Sequence, residues 1–250
     1  MPDASIRPKG HAHPLDHVVW EALASRHRYL AEGDERALRY PADVAPFAAT
    51  LDTSPESFRS LQLLIPAGDR IALFTVEEVS PPSPLSVVKR DLVDQMIFIN
   101  HPPSVGMTPV VRLNASDVPE MQALVDATHP GPFNTRTIEL GAYFGIRHNG
   151  KLVAMAGERM RLDGFAEVSG VCVHPSYRGL GWAAELVNVI TGLIAFRGET
   201  PFLHVFASNR PAIELYGKLG FILRRRMHLA ILMRAVPEPY GFAEFKTSND

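Results

Sequence analysis

The sequence predicts an α/β (α+β) fold, a mixed sheet flanked by helices with an additional N-terminal αβ domain. Two observations carry this. From residue 110 onward, short β-branched runs alternate with stretches that are apolar at helical spacing. Proline and glycine clusters divide these stretches, most clearly Ser-Pro-Pro-Ser-Pro at 80–84 and His-Pro-Pro-Ser-Val-Gly-Met-Thr-Pro at 101–109. The second cluster is the better boundary, because a cleanly patterned segment begins right after it. The expected division is a flexible leader at 1–15, an N-terminal αβ domain at 16–105, a second domain at 106–236 and a tail at 237–250.

Taken in order, residues 16–31 read as a helix, with Val18, Val19, Ala22, Leu23 and Leu30 recurring on one side. Leu61 to Ile65 and Ile71 to Val76 read as strands around the turn Pro66-Ala67-Gly68-Asp69, and 85–99 as strand or helix. Val110 to Leu113 is a strand, and Asn114 to Asp117 offer N-caps for a helix bearing Met121, Leu124 and Val125 on one face. Tyr143 to His148 and Leu152 to Arg159 flank Asn149-Gly150, the strongest short hairpin signal. Asp163-Gly164 turns into a strand from Phe165 to His174. A helix from about Gly179 to Phe196 ends at Gly198 and Pro201. A strand from Phe202 to Ala207, a helix from Pro211 to Leu219 closed by Gly220, and a strand pair from Phe221 to Met233 complete the order β-α-β-β-β-α-β-α-β-β.

Composition sets the class. The 250 residues are 46% hydrophobic and 21% charged, ordinary for a globular chain. A formal net charge of −2 gives no sign of a general nucleic-acid binder. No apolar stretch approaches the ~18 residues of a membrane span, and the N-terminal MPDASIRPKGHAHPLDH lacks the apolar core of a secretory signal. A single cysteine, Cys172, excludes an intrachain disulfide and fits a reducing compartment. The expected setting is cytoplasmic, with neither nucleic acid nor membrane as partner.

The informative stretch is VCVHPSYRGLGWAAELV, residues 171 to 187. A strand here feeds a glycine-rich turn at the start of a helix. The first amides of a helix have no internal partners and its dipole favours negative charge, so the turn is a site for phosphate. Gly179 and Gly181 allow close backbone approach, and Arg178 adds a fixed positive charge. Alone, such a turn is also compatible with an ordinary strand-to-helix connection.

The surroundings are more specific. Arg178-x-x-Gly181-x-Ala183, after Val171-Cys172-Val173-His174-Pro175, resembles the acetyl-CoA loop of the GCN5-related N-acetyltransferases (GNAT). HVFASNRPAIELYGKLGF, residues 204 to 221, resembles the same family's Asn-x-x-Ala-x-x-x-Tyr helix with a terminal Gly-Phe, here Asn209, Ala212, Tyr216, Gly220 and Phe221. The resemblance spans about 109–234 and is nearest the FR47-like branch. It implies a splayed GNAT-type sheet and an acyltransferase that moves acetyl, or another short acyl group, from CoA to a primary amine in a ternary complex. It further implies that Arg178, Gly179, Leu180, Gly181, Trp182 and Ala183 seat the pyrophosphate. The pantetheine arm would lie beside Val171, Cys172 and Val173 and borrow their backbone groups.

The chemistry needs a neutral amine, an oxyanion donor and an acid for the leaving thiolate. On a helix Asn209, Ala212 and Tyr216 share one face; small Ala212 leaves room for the arm, and the Tyr216 phenol reaches the sulfur as acid. Glu167 is the candidate base. Strand alternation puts it with Ser169, Val171 and Val173, among apolar neighbours that should raise its pKa. A solvent-facing strand-end carboxylate is an equally good reading. Cys172 reads as a core residue, and the histidines 11, 13 and 17 as leader residues, so no metal is expected. His174 and His204 read as satisfied polar residues at strand ends, Arg224-Arg225-Arg226 as a strand with solvated edges. Glu139, Tyr143 and Phe144 are placed on the acceptor side by order alone. The expected partners are acetyl-CoA as co-substrate, a small-molecule or peptide amine, and a second copy of the chain as homodimer. A non-catalytic acyl-CoA-binding or regulatory module is the alternative.

Overall fold

The computed structural model describes residues 13–100 and 109–235. Helices are α1 (Val18–Ala24), α2 (Pro55–Leu64), α3 (Val118–Thr128), α4 (Trp182–Phe196) and α5 (Arg210–Lys218). Strands are β1 (Glu32–Gly33), β2 (Ala37–Arg39), β3 (Phe47–Thr50), β4 (Arg70–Thr75), β5 (Leu85–Phe98), β6 (Val111–Leu113), β7 (Tyr143–His148), β8 (Lys151–Leu162), β9 (Phe165–Val173), β10 (Thr200–Phe206) and β11 (Phe221–Arg234). They form one sheet in the order β1-β2-β3-β4-β11-β5-β10-β9-β8-β7-β6.

The expected break near residue 105 does not interrupt that sheet. β5 precedes the boundary in sequence yet lies between β10 and β11, antiparallel to both. The boundary residues 101–108, the tail and residues 1–12 of the leader lie outside those described. The rest of the leader is packed: Leu15 is fully buried within a 3₁₀ turn at Pro14–His17.

Three local readings change. Leu61 to Leu64 belongs to helix α2, with Ile65 as its C-cap. Ser54 accepts a hydrogen bond from the Ser57 N–H, Pro55 opens the helix, and Ser57, Phe58 and Leu61 face the core, so the contiguous apolar run concealed a 3.6-residue period. The 16–31 helix is shorter, a seven-residue α1 between 3₁₀ turns. The terminal strand pair is a single strand, β11, bent by a register shift between Leu223 and Arg225.

Helix α4 packs on β8, β9 and β10. Its Leu186, Val187, Ile190 and Ile194 are fully buried, each contributing roughly 1.5–3 kcal/mol. This holds the helix N-terminus in place. Arg197, just past α4, adds a clamp by donating to both Glu158 oxygens of β8 and to Glu199. Helix α3 covers β8 and β9 with Met121, Leu124 and Val125, while α1 packs on β2, β3 and β8. No helix among the described residues is long and apolar enough to cross a membrane.

Candidate active site

β9 and β10 run parallel, but they pair only at Thr200↔Phe165, Pro201↔Ala166 and Phe202↔Glu167. Beyond Phe202, β10 stays paired with β5 as far as Phe206↔Val93 and so is drawn away from β9. The sheet opens there. A cavity of about 560 Å³ runs through the gap, its wall including residues 177–184 on one side and Phe47, Phe74, Arg159 and His204 on the other.

At the first side, the turn at Pro175–Tyr177 delivers the chain to α4. Gly179 and Gly181 have φ of 81° and 79°, the left-handed region where glycine carries no penalty. A Cβ at either would meet nothing within 4 Å, so backbone conformation, not crowding, demands glycine. Gly181 caps α4 without a side-chain hydrogen bond, and the first helical bond is the Glu185 N–H to the Gly181 carbonyl. The amides ahead of Glu185 therefore have no partner within the helix and head its positive dipole end. Tyr177 stacks on Trp182 with ring centroids 5.6 Å apart, bracing the loop.

The sequence-predicted residues meet here. Val171, Cys172, Val173, the six residues Arg178 to Ala183, Asn209, Ala212 and Tyr216 all line the one cavity. Asn209 also caps α5, its Oδ1 accepting from the Ala212 N–H at 3.3 Å. Burial pushes the Tyr216 phenol up to about 12 and the Cys172 thiol up to about 11. The phenol therefore holds its proton at neutral pH, and Cys172 is an unreactive thiol.

Glu167 departs from expectation in two ways. Simple alternation placed it on a face with Val171 and Val173. However, Gly170, at φ 63°, puts an extra residue into β9 between the pairs Met155↔Cys172 and Gly157↔Ser169. This bulge shifts the pattern, so Ala166, Val168, Val171 and Val173 pack with α4, while Cys172 packs with α3. Secondly, Glu167 is not part of the cavity wall. It is fully buried behind it, accepting from Arg159 Nε at 2.8 Å, Arg159 Nη2 at 2.6 Å, His204 at 2.7 Å and the Met160 N–H at 3.3 Å. Burial alone would raise its pKa, but Arg159 and His204 hold it down at about 2. A carboxylate so placed is a fixed negative charge, not the raised base that the sequence suggested.

Arg159 and His204 thus form the wall in front of Glu167. Arg159 lies over the Phe47 ring at 4.8 Å. His204 stacks on Phe74 at 4.7 Å, with Gln95 bonded to its Nε2 at 3.0 Å. Gln95 in turn accepts from Arg224, which pairs with buried Asp16. The arginine run is accordingly tied inward: Arg225 also faces Asp16, and Arg226 pairs with Asp94. Glu139 binds Arg136, and Tyr143 is buried in the core against Phe133, its ring filling the space beside Gly157. Neither lines the cavity, nor does Phe144.

Sequence reasoning missed Arg159, Phe47 and Phe74. One signal for Arg159 was present: Glu158-Arg159 interrupts the apolar strand LVAMAGERM. The two phenylalanines reach the cavity only through sheet order.

The splayed sheet, the glycine-rich helix N-terminus and the Tyr216 phenol thus share one cleft. The family model of FR47-like proteins matches residues 143–229. The crystal structure of a protein described as a putative acetyltransferase of the GNAT family, from Novosphingobium aromaticivorans, superposes with a TM-score of 0.84 at 41% identity, covering 90% of this chain and 100% of that one. The alanine N-acetyltransferase of ribosomal protein bS18 from Escherichia coli is 31% identical over 121 residues, 46% of this chain and 81% of its own length. A GCN5-related N-acetyltransferase from Kribbella flavida shares the fold alone, with a TM-score of 0.52 at 19% identity. The chain belongs to the GNAT family, and it is an N-acetyltransferase that uses acetyl-CoA as co-substrate.

Proposed function

We propose that the enzyme transfers acetyl from acetyl-CoA to a primary amine by direct attack in a ternary complex, with the coenzyme in the cavity between β9 and β10. The observation that carries this is that all twelve expected coenzyme contacts line the same cavity. The pyrophosphate rests on the amides of residues 179–183, ahead of the first helical bond, with the Arg178 side chain at the rim. The pantetheine arm lies in the gap as an added strand against Val171 to Val173, where β9 has lost β10 as a neighbour.

The amine attacks the thioester carbonyl, and a β9 backbone N–H near the Gly170 bulge stabilises the oxyanion. Collapse breaks the C–S bond. The Tyr216 phenol gives its proton to the thiolate and recovers one from solvent, and the amine's excess proton leaves through water. Glu167 stays ionised throughout and acts as a positioning residue by fixing Arg159 and His204. The free Cys172 thiol suits a reducing, cytoplasmic setting.

The test is Tyr216→Phe. Calorimetric affinity for acetyl-CoA is expected to remain, while kcat falls by roughly 10² or more, the ordinary contribution of a general acid. Equal turnover in the two forms removes Tyr216 from the mechanism. Unchanged binding with no turnover in the wild-type protein favours the non-catalytic reading.

A further inference from the structure

With the coenzyme placed as proposed above, the inference below rests on that reading, and the far end of the cavity is left for the acceptor. Its wall there includes two aromatic rings from strands that precede the FR47-like segment. Phe47 of β3 and Phe74 of β4 stand with ring centroids 5.4 Å apart, and Leu229 of β11 extends the apolar surface. The polar side chains in contact with these two rings are Arg159, over Phe47, and His204, stacked on Phe74. Among the described residues, no Asp or Glu lines the cavity. The carboxylate behind Arg159 and His204, Glu167, has both oxygens taken by Arg159, His204 and the Met160 N–H.

A second cationic centre on the acceptor would therefore lose its water, meet the Arg159 guanidinium and find no carboxylate in return. Desolvating an unpaired charge is strongly unfavourable. An apolar ring, by contrast, gains contact with two phenylalanines. Desolvation also favours the neutral form of an entering amine, which is the form that attacks.

We infer that the acceptor is a monoamine carried on an apolar, aromatic-sized body with no second positive charge, and that Phe47, Phe74 and Arg159 select it. The amine belongs either to a free small molecule or to the first residue of a peptide. Both present the same chemistry to the cavity.

The experiment is thiol release from acetyl-CoA by the full chain with four acceptors: 2-phenylethylamine, a short peptide with an N-terminal phenylalanine, spermidine, and an N-blocked lysine peptide. The first or second is expected to show kcat/KM at least tenfold above the last two, and which of them leads identifies the source. Equal or better turnover of spermidine or the lysine peptide overturns the inference. Phe74→Leu is expected to raise KM for the better acceptor several-fold without changing calorimetric affinity for acetyl-CoA; an unchanged KM removes the ring from the selection. Coenzyme binding with turnover of other amines but of none of these four overturns this inference alone; coenzyme binding with no turnover of any amine overturns the catalytic reading as well. Absence of acetyl-CoA binding overturns the coenzyme reading beneath it.

Discussion

Glu167→Gln separates a positioning carboxylate from a catalytic base, because the two roles predict opposite patterns. The substitution keeps the side-chain volume and removes the charge. Arg159, whose side chain is only 11% exposed, then loses its ionic partner at a site where Glu167 was fully buried. Breaking a buried pair by neutralising one member costs ~3–5 kcal/mol, chiefly from the charge left behind.

An independent route gives a similar size. The Glu167 carboxyl is held at about 2 against an ordinary 4.5, a difference that corresponds to about 3 kcal/mol. Since the folded value is the lower one, this stability is fully present above pH ~4.5 and is lost as pH falls toward ~2. For a chain of this size each kcal/mol shifts the melting temperature by about 2–4 °C. Glu167→Gln should therefore lower Tm by roughly 6–20 °C at pH 7, and much less at pH 3. Adding Arg159→Met should restore most of the loss, because the orphaned charge is gone.

Scanning calorimetry reads the stability, and thiol release below the variant's Tm reads the activity. A positioning role predicts kcat within about tenfold of wild type. An unchanged Tm with kcat down by ~10² or more would refute the reasoning, since that is the loss expected of a general base.

Two other substitutions test separate parts of the structure. Gly181→Glu places a negative charge where the pyrophosphate is proposed to sit and forces a side chain into a φ of 79°. A Cβ there meets no neighbour within 4 Å, so the fold is expected to survive while calorimetry shows no acetyl-CoA binding. Retained affinity would sink the phosphate-loop argument. Arg197→Met strips both hydrogen bonds from the Glu158 carboxylate, which is 3% exposed. Tm is expected to fall by several degrees, with acetyl-CoA affinity unchanged; a constant Tm would mean that the α4 clamp contributes nothing.

The sequence by itself determined the coenzyme half of the molecule. The β9 turn, Gly179 and Gly181, the buried face of α4, the Asn209 cap and Tyr216 on α5 are local features whose spacing sets the backbone directly. A glycine at positive φ or an apolar residue every third or fourth position needs no distant partner to be recognised. The Gly170 bulge was also local, but strict alternation hid it. One extra residue reverses the face of everything before it, so Glu167 was assigned to the wrong side.

Tertiary structure alone decided the rest. Only sheet order puts β5 between β10 and β11, which draws β10 from β9 and opens the cleft. Arg159 and Glu167 are eight residues apart, yet they meet because a hairpin folds β8 onto β9. Phe47 and Phe74 reach the same cavity from strands that precede the family motif. The pKa of Glu167 followed from those neighbours. Burial raises a carboxyl only when no cation is buried with it, and the cation here is set by packing that neither periodicity nor motif encodes.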